Sequence, residues 1–188
     1  MKRIFFSLLL MVCTVAGMAQ KPLSYSTVIQ ADSLPAAKLY QATKAWFAKE
    51  YINANYVVQN DLPNKEISGK AKLTLTISSL SYSGMSGFIT YFIDVQFRDN
   101  RLKLTMSDFT HDPTRVVMYN NQMGLVLDSL PDDLKTLGGE FEHAQHRMYY
   151  KAFWKRAKPA CDEQFNTIST SLTEFVNKYK PDSKEENW

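Results

Sequence analysis

The side chains best suited to ligation or nucleophilic chemistry are His111, His143, His146 and Cys161. Glu140, His143 and His146 follow one another at intervals of three, and Glu142 lies four before His146, so on a helix they could share one face as metal ligands. A closed site needs more donors, and the matching second motif of carboxylate-bridged helical bundles is missing. No spacing ties His111 to the others. A solvated helix face is therefore the preferred reading, and a metal-dependent or hydrolytic enzyme using His111, His143 and His146 is the runner-up. Cys161 could act as a nucleophile beside a histidine base. It opens an apolar helical stripe, however, which points to a buried, inert thiol. Gly-rich phosphate loops, serine elbows and zinc-protease helices are absent from the sequence, so no cofactor and no catalytic residue is assigned.

Cations form the second group. Lys70, Lys72, Arg98, Arg101 and Lys103 fall on the polar phase of three alternating segments, with Asp94, Thr74, Thr76, Thr90, Thr105 and Ser107 among them. If these segments are strands of one sheet, the five cations share its solvated face. Antiparallel sheets commonly leave one face in water with no function attached. The functional alternative is a shallow site for an anionic or polyhydroxyl ligand, or for a partner protein, with lysine and arginine supplying charge and threonine supplying hydroxyls. A basic aromatic stretch, Arg147, Tyr149, Tyr150, Lys151, Trp154, Lys155, Arg156 and Lys158, could press on an anionic surface. Its apolar and basic positions do not separate at 100° per residue, so an ordinary covering helix is preferred.

The elements that must position these residues are legible as periods. Ile89, Tyr91, Ile93, Val95 and Phe97 alternate with polar residues, and Leu102, Leu104 and Met106 do the same after Asp99-Asn100. With those two residues as the turn, Phe97 faces Leu102, Val95 faces Leu104 and Ile93 faces Met106, which gathers the apolar residues on one side. Residues 65–79 alternate in the same way through Ala71, Leu73, Leu75 and Ile77, and residues 23–30 form a short first strand. Leu39, Ala42, Thr43, Trp46 and Phe47 make the stripe of a helix over 34–51, with Ser33 as its expected cap. Residues 52–64 show no sustained period. His111-Asp112-Pro113 is expected to break the last strand, and Val116, Val117 and Met118 to return as a short edge strand. Asp128-Ser129-Leu130-Pro131 repeats the tetrapeptide at Asp32 and is read as a second cap, before a short helix ended by Gly138-Gly139. Two helices then follow, over 140–158 and 160–179, separated at Pro159.

The first residues read as an export leader. Lys2 and Arg3 precede an apolar run over 4–15, and Gly17-Met18-Ala19 offers the small residues that a signal peptidase requires, so 1–19 is the expected leader. Val12 before Cys13 argues against a lipidation site. The run is too short for a membrane span of roughly 20 residues, and no later stretch approaches one. Without Lys2 and Arg3 the 22 basic residues fall to 20 against 19 acidic ones, a near-balance that offers nothing to nucleic acid. Cys161 alone would remain, so no intramolecular disulfide forms. Residues 20–180 suit one domain, with 181–188 as a charged tail.

Five stretches carry a resemblance: Tyr25-Ser26-Thr27-Val28-Ile29, the segment from Leu39 to Phe47, Lys65-Glu66-Ile67-Ser68-Gly69-Lys70, the hairpin from Phe92 to Leu104, and Asp108-Phe109. Together they resemble exported proteins of Bacteroidetes-type bacteria that share a domain of unknown function with a TATA-binding-protein-like fold. The resemblance implies fold and export; it supplies no activity, substrate or catalytic residue, and the fold's name implies no DNA binding. Both Asp-Ser-Leu triplets also resemble the O-glycan acceptor of such proteins, although a capping hydroxyl is poorly placed to carry a sugar. The expectation is an α+β domain, an antiparallel meander with helices packed on one face and a helical insertion before the last helix. Its expected role is a non-catalytic binding module of the envelope, with an unidentified envelope protein or an anionic or polyhydroxyl ligand as partner.

Overall fold

The computed structural model of the chain describes residues 21–78, 82–114 and 122–179. Five strands, β1 (Tyr25–Gln30), β2 (Val58–Leu62), β3 (Glu66–Leu75), β4 (Gly87–Arg98) and β5 (Arg101–Pro113), form one antiparallel sheet in the order β1-β5-β4-β3-β2. The helices α1 (Ala36–Glu50) and α3 (Ala144–Lys178) cover one face, and a single turn, α2 (Ala54–Val57), leads into β2. The architecture is thus α+β, as the alternation required.

The β4–β5 hairpin has the expected register: Phe97 pairs with Leu102, Val95 with Leu104 and Ile93 with Met106, and all six are buried. Asn100 takes φ +67° in the turn. Strand β5 does not break at His111 but continues to Pro113. A bulge makes this possible. The pairing slips between Thr90 and Phe92, and Asp108 opposite them adopts φ +55°. One extra residue inverts the phase of everything after it. Before the bulge Leu102, Leu104 and Met106 point inward; after it Phe109 and His111 do, both wholly buried. Phe109 stacks on Tyr91, with centroids 5.5 Å apart.

Strand β2 lies in the segment that showed no period. Only its first residue is even half-buried, so burial imposes no alternation on it. It packs because Gly69 of β3 lets the chain close in: a Cβ there would stand 2.3 Å from the Val57 carbonyl oxygen.

Helix α1 buries the expected five residues, Leu39, Ala42, Thr43, Trp46 and Phe47. Ser33 is not its cap, since it sits at φ +67° and makes no capping bond. The Ala36 N–H donates instead to Asp99 Oδ1 in the hairpin turn, at 2.8 Å. Ser129 does not cap either, because the short helical turn Leu134–Leu137 takes its bond from Asp133. The two expected C-terminal helices are one. Helix α3 passes through Pro159, whose ring is exposed, while its inward stripe runs unbroken from Tyr150, Phe153 and Ala157 to Cys161, Ile168, Leu172 and Val176. Packing of that stripe outweighs the missing N–H at Pro159. Trp46 Nε1 donates to Ser171 Oγ at 3.0 Å, and Tyr25 OH to Asp162 at 2.6 Å, joining α3 to α1 and to β1. The leader, the 116–118 segment and the 181–188 tail lie outside the described residues.

Candidate functional site

With both long helices on one face, the polar phase of β3, β4 and β5 forms the other. Its cross-strand rows follow from the register. Arg98 faces Arg101, Gln96 faces Lys103, Asp94 faces Thr105, and Lys70 and Lys72 face Phe92 and Thr90. The five cations all reach solvent on this face. They do not form one site, however.

Lys70 and Lys72 are occupied. The Lys70 ammonium lies 5.5 Å from the centre of the Phe92 ring, and that of Lys72 lies 5.4 Å from Phe88 and 3.4 Å from Asp112. Such contacts satisfy a lysine and cover two half-exposed aromatic rings. Arg98, Arg101 and Lys103 behave differently. Together with Val28, Gln96 and Leu102 they line a depression of about 360 Å³ at the turn end of the face. Among the described residues none of these three cations has an ion-pair partner.

Between the two ends sits Asp94, its Oδ1 buried and unpaired. Burial, reinforced by the Glu66 carboxylate, pushes its pKa up to about 6 against the pull of Lys103. The polar sheet face is therefore graded: a cationic end without ion pairs among the described residues, a carboxyl whose pKa burial raises to about 6, and an aromatic end whose lysines are engaged.

The histidines are dispersed. His111 is buried between strand and helix, 4.8 Å from the Phe153 ring; its Nδ1 accepts from Met123 N at 3.2 Å, and its Nε2 donates to the Met85 carbonyl at 2.9 Å. Burial lowers its pKa, so it is a neutral strut with both nitrogens used. Glu140 lies in a short helical turn and His143 is the residue before α3, so the regular spacing does not place them on one helix face. His146 Nε2 stands 3.7 Å from Glu140 Oε2, on the wall of an apolar crevice of about 540 Å³ that includes Phe141 and Tyr150. Among the described residues no three His, Cys, Asp or Glu side chains converge as metal ligands. Cys161 is wholly buried, and burial pushes its pKa up to about 12.

Sequence reasoning missed a groove of about 860 Å³ between α1 and α3 that contains Trp46, Ser171 and Glu174. Its polar groups bond one another: Ser171 donates to Glu50, and Lys178 pairs with Glu174. No helix in the described residues is long and apolar enough to cross a membrane.

One solved structure shares this architecture. A search of curated sequences finds no match. Among solved structures, the chain is similar to a TBP-like protein from Parabacteroides distasonis, with a TM-score of 0.51 and 15% identity over 85% of this chain and 95% of that one. It is also similar to a DUF4468 family protein from Bacteroides ovatus, with a TM-score of 0.47 and 17% identity over 84% of this chain and 88% of the other. The family model for DUF4468 matches residues 25–112, the span from β1 almost to the end of β5. The matched span, which holds the sheet and α1, thus corresponds to DUF4468, a domain of unknown function with a TBP-like fold.

Proposed function

We propose that the protein is an exported, non-catalytic binding module of the cell envelope, and that Arg98, Arg101 and Lys103 hold an anionic group of its ligand. The observation that carries this reading is the trio of cations, without an ion-pair partner among the described residues, around one depression on the sheet face opposite α1 and α3. Arginine and lysine outside any internal ion pair keep their donors for an incoming carboxylate, sulfate or phosphate. Lys70 and Lys72 serve as the aromatic flank of the same face. Export rests on the leader-like first nineteen residues and is checked by N-terminal sequencing of protein from the native envelope, where a start other than Gln20 would contradict it.

Dextran sulfate, an anionic polyhydroxyl polymer, is a suitable probe. Changing Arg98, Arg101 and Lys103 to glutamate should weaken its binding at least tenfold, about 1.4 kcal/mol. The same charge change at Lys21, Lys151 and Lys155, which are exposed elsewhere, should have a much smaller effect. Equal losses in the two variants would reduce the interaction to net charge and end the proposal.

A further inference from the structure

We infer that the outer edge of β1, which pairs with no second strand among the described residues, takes up an extended, acidic polypeptide segment as a further strand of the sheet; this deepens the reading above by naming the kind of partner whose anionic groups reach Arg101 and Lys103. The two edges of the sheet are built differently. Strand β2 is blunted: its pairing slips between Val58 and Asn60, its Asp61 is held by Tyr40 at 2.7 Å and Lys44 at 3.0 Å, and Pro63 follows it. These are the usual devices by which an edge is closed to further strands. Strand β1, Tyr-Ser-Thr-Val-Ile-Gln, has none of them. It contains no proline and no charge, and its six residues pair with β5 without a bulge. An edge of this kind is a template for strand addition.

The direction of its hydrogen bonds follows from its ends. Leu23 N donates to Val126 and Ala31 N to Asn100, both on the β5 side. In an unbulged antiparallel strand these directions alternate. Ser26, Val28 and Gln30 therefore turn their N–H and C=O groups away from the sheet. Depressions flank that edge on both sides. On the outer face Val28, half exposed, forms the rim of the cationic depression. On the helix side Thr27 and Ile29 meet Ser169, Thr170, Thr173 and Glu174 around a notch of about 340 Å³. An added strand would send alternate side chains to these two places. Carboxylates suit the outer one, two strand spacings or roughly 10 Å from β5 and within reach of long side chains. Small hydroxyl residues suit the notch, where Glu174 opposes an acid.

The probe is a fluorescent decapeptide of alternating threonine and glutamate, added to the protein at low salt. It should bind, slow amide exchange at Ser26, Val28 and Gln30, and bind at least tenfold more weakly when alternate peptide nitrogens are methylated. Val28→Pro, which removes an outward N–H and leaves the β1–β5 ladder intact, should cause a similar loss. The methylated peptide needs no variant, so the test holds even if Val28→Pro does not fold. Undiminished binding of the methylated peptide would overturn strand addition while leaving the cationic depression standing. Equal binding of a threonine–lysine decapeptide would overturn the acidic preference, and no binding of either would overturn the inference. A concentration-dependent dimer abolished by Val28→Pro would assign the edge to a second copy instead. The dextran sulfate comparison judges the depression separately.

Discussion

Replacing His111 by leucine separates a structural histidine from a catalytic one. The imidazole is wholly buried, and its two nitrogens satisfy groups from two different segments, Met123 N and the Met85 carbonyl. Leucine fills much of the same space but leaves that N–H and C=O without partners in the core. An unpaired buried group costs about 1–3 kcal/mol, and the added apolar burial offsets part of this, so the net loss should be about 3 kcal/mol. In a domain of this size that lowers Tm by about 6–12 °C. The pH dependence gives a second reading. Nδ1 accepts the Met123 bond, so a second proton can enter only by breaking it, and burial already holds the pKa below its usual value. Below about pH 6.5 the unfolded chain binds a proton that the folded one refuses, and stability falls with falling pH. His111→Leu lacks that group. The penalty of the substitution should therefore shrink between about pH 7.5 and 5.5, with other titrations cancelling in the difference. Thermal unfolding followed by circular dichroism at both pH values measures it. A loss below about 0.5 kcal/mol, or a penalty independent of pH, would refute the strut.

Asp94 should act in the opposite sense. With its pKa raised from the usual 3.8 to about 6, the folded state binds the extra proton, so stability falls as pH rises from about 4 to 6, and Asp94→Asn should remove that fall. The full shift would be worth about 3 kcal/mol, but solvent screening on an open face reduces the expected change to about 1 kcal/mol, measurable by urea unfolding. Asp99→Ala should cost about 1 kcal/mol of stability, because the Ala36 N–H loses its acceptor; an unchanged urea midpoint would contradict that cap. Cys161 should resist a thiol reagent at about pH 8 in the folded protein and react within minutes once denatured, and rapid reaction of the native protein would contradict its burial.

What could be read in advance was what burial writes into a period. The β4–β5 register and the α1 stripe are local patterns in which every second, or every third and fourth, residue must be apolar. The bulge at Asp108 was less accessible because alternation is intact on each side of it; its trace is the move from even positions at Leu102, Leu104 and Met106 to odd ones at Phe109 and His111. Strand β2 was invisible because neither of its faces is consistently buried. The α1 cap is not legible locally because its acceptor, Asp99, is far away in sequence, and the continuity of α3 is hidden because the local cost of Pro159 is legible whereas the packing that offsets it is not. On the candidate site, the alternation puts the five cations on one sheet face, and the strand register does the same. Their separation into engaged and free groups depended on Phe88, Phe92 and Asp112, whose side chains meet the lysines only in three dimensions.

The geometry around Arg98 and Arg101 gives the cationic depression its strongest support. The two arginines face each other directly across the hairpin, and like charges so placed are destabilising by up to about 1 kcal/mol. The turn between them cannot spread to relieve this, because three bonds fix it: Asp99 accepts from Ala36 N, Asn100 N donates to the Leu34 carbonyl at 2.8 Å, and Ala31 N donates to Asn100 O at 2.9 Å. The loop before α1 thus clamps the pair in place, with Lys103 beside it. A bound anion would lie among all three and remove the repulsion, so ligand binding and fold stability draw on the same interaction. Dextran sulfate should then raise Tm in the wild type by more than in Arg98→Ala, by the ordinary linkage between binding and unfolding. An equal rise in both would show that the polymer binds elsewhere.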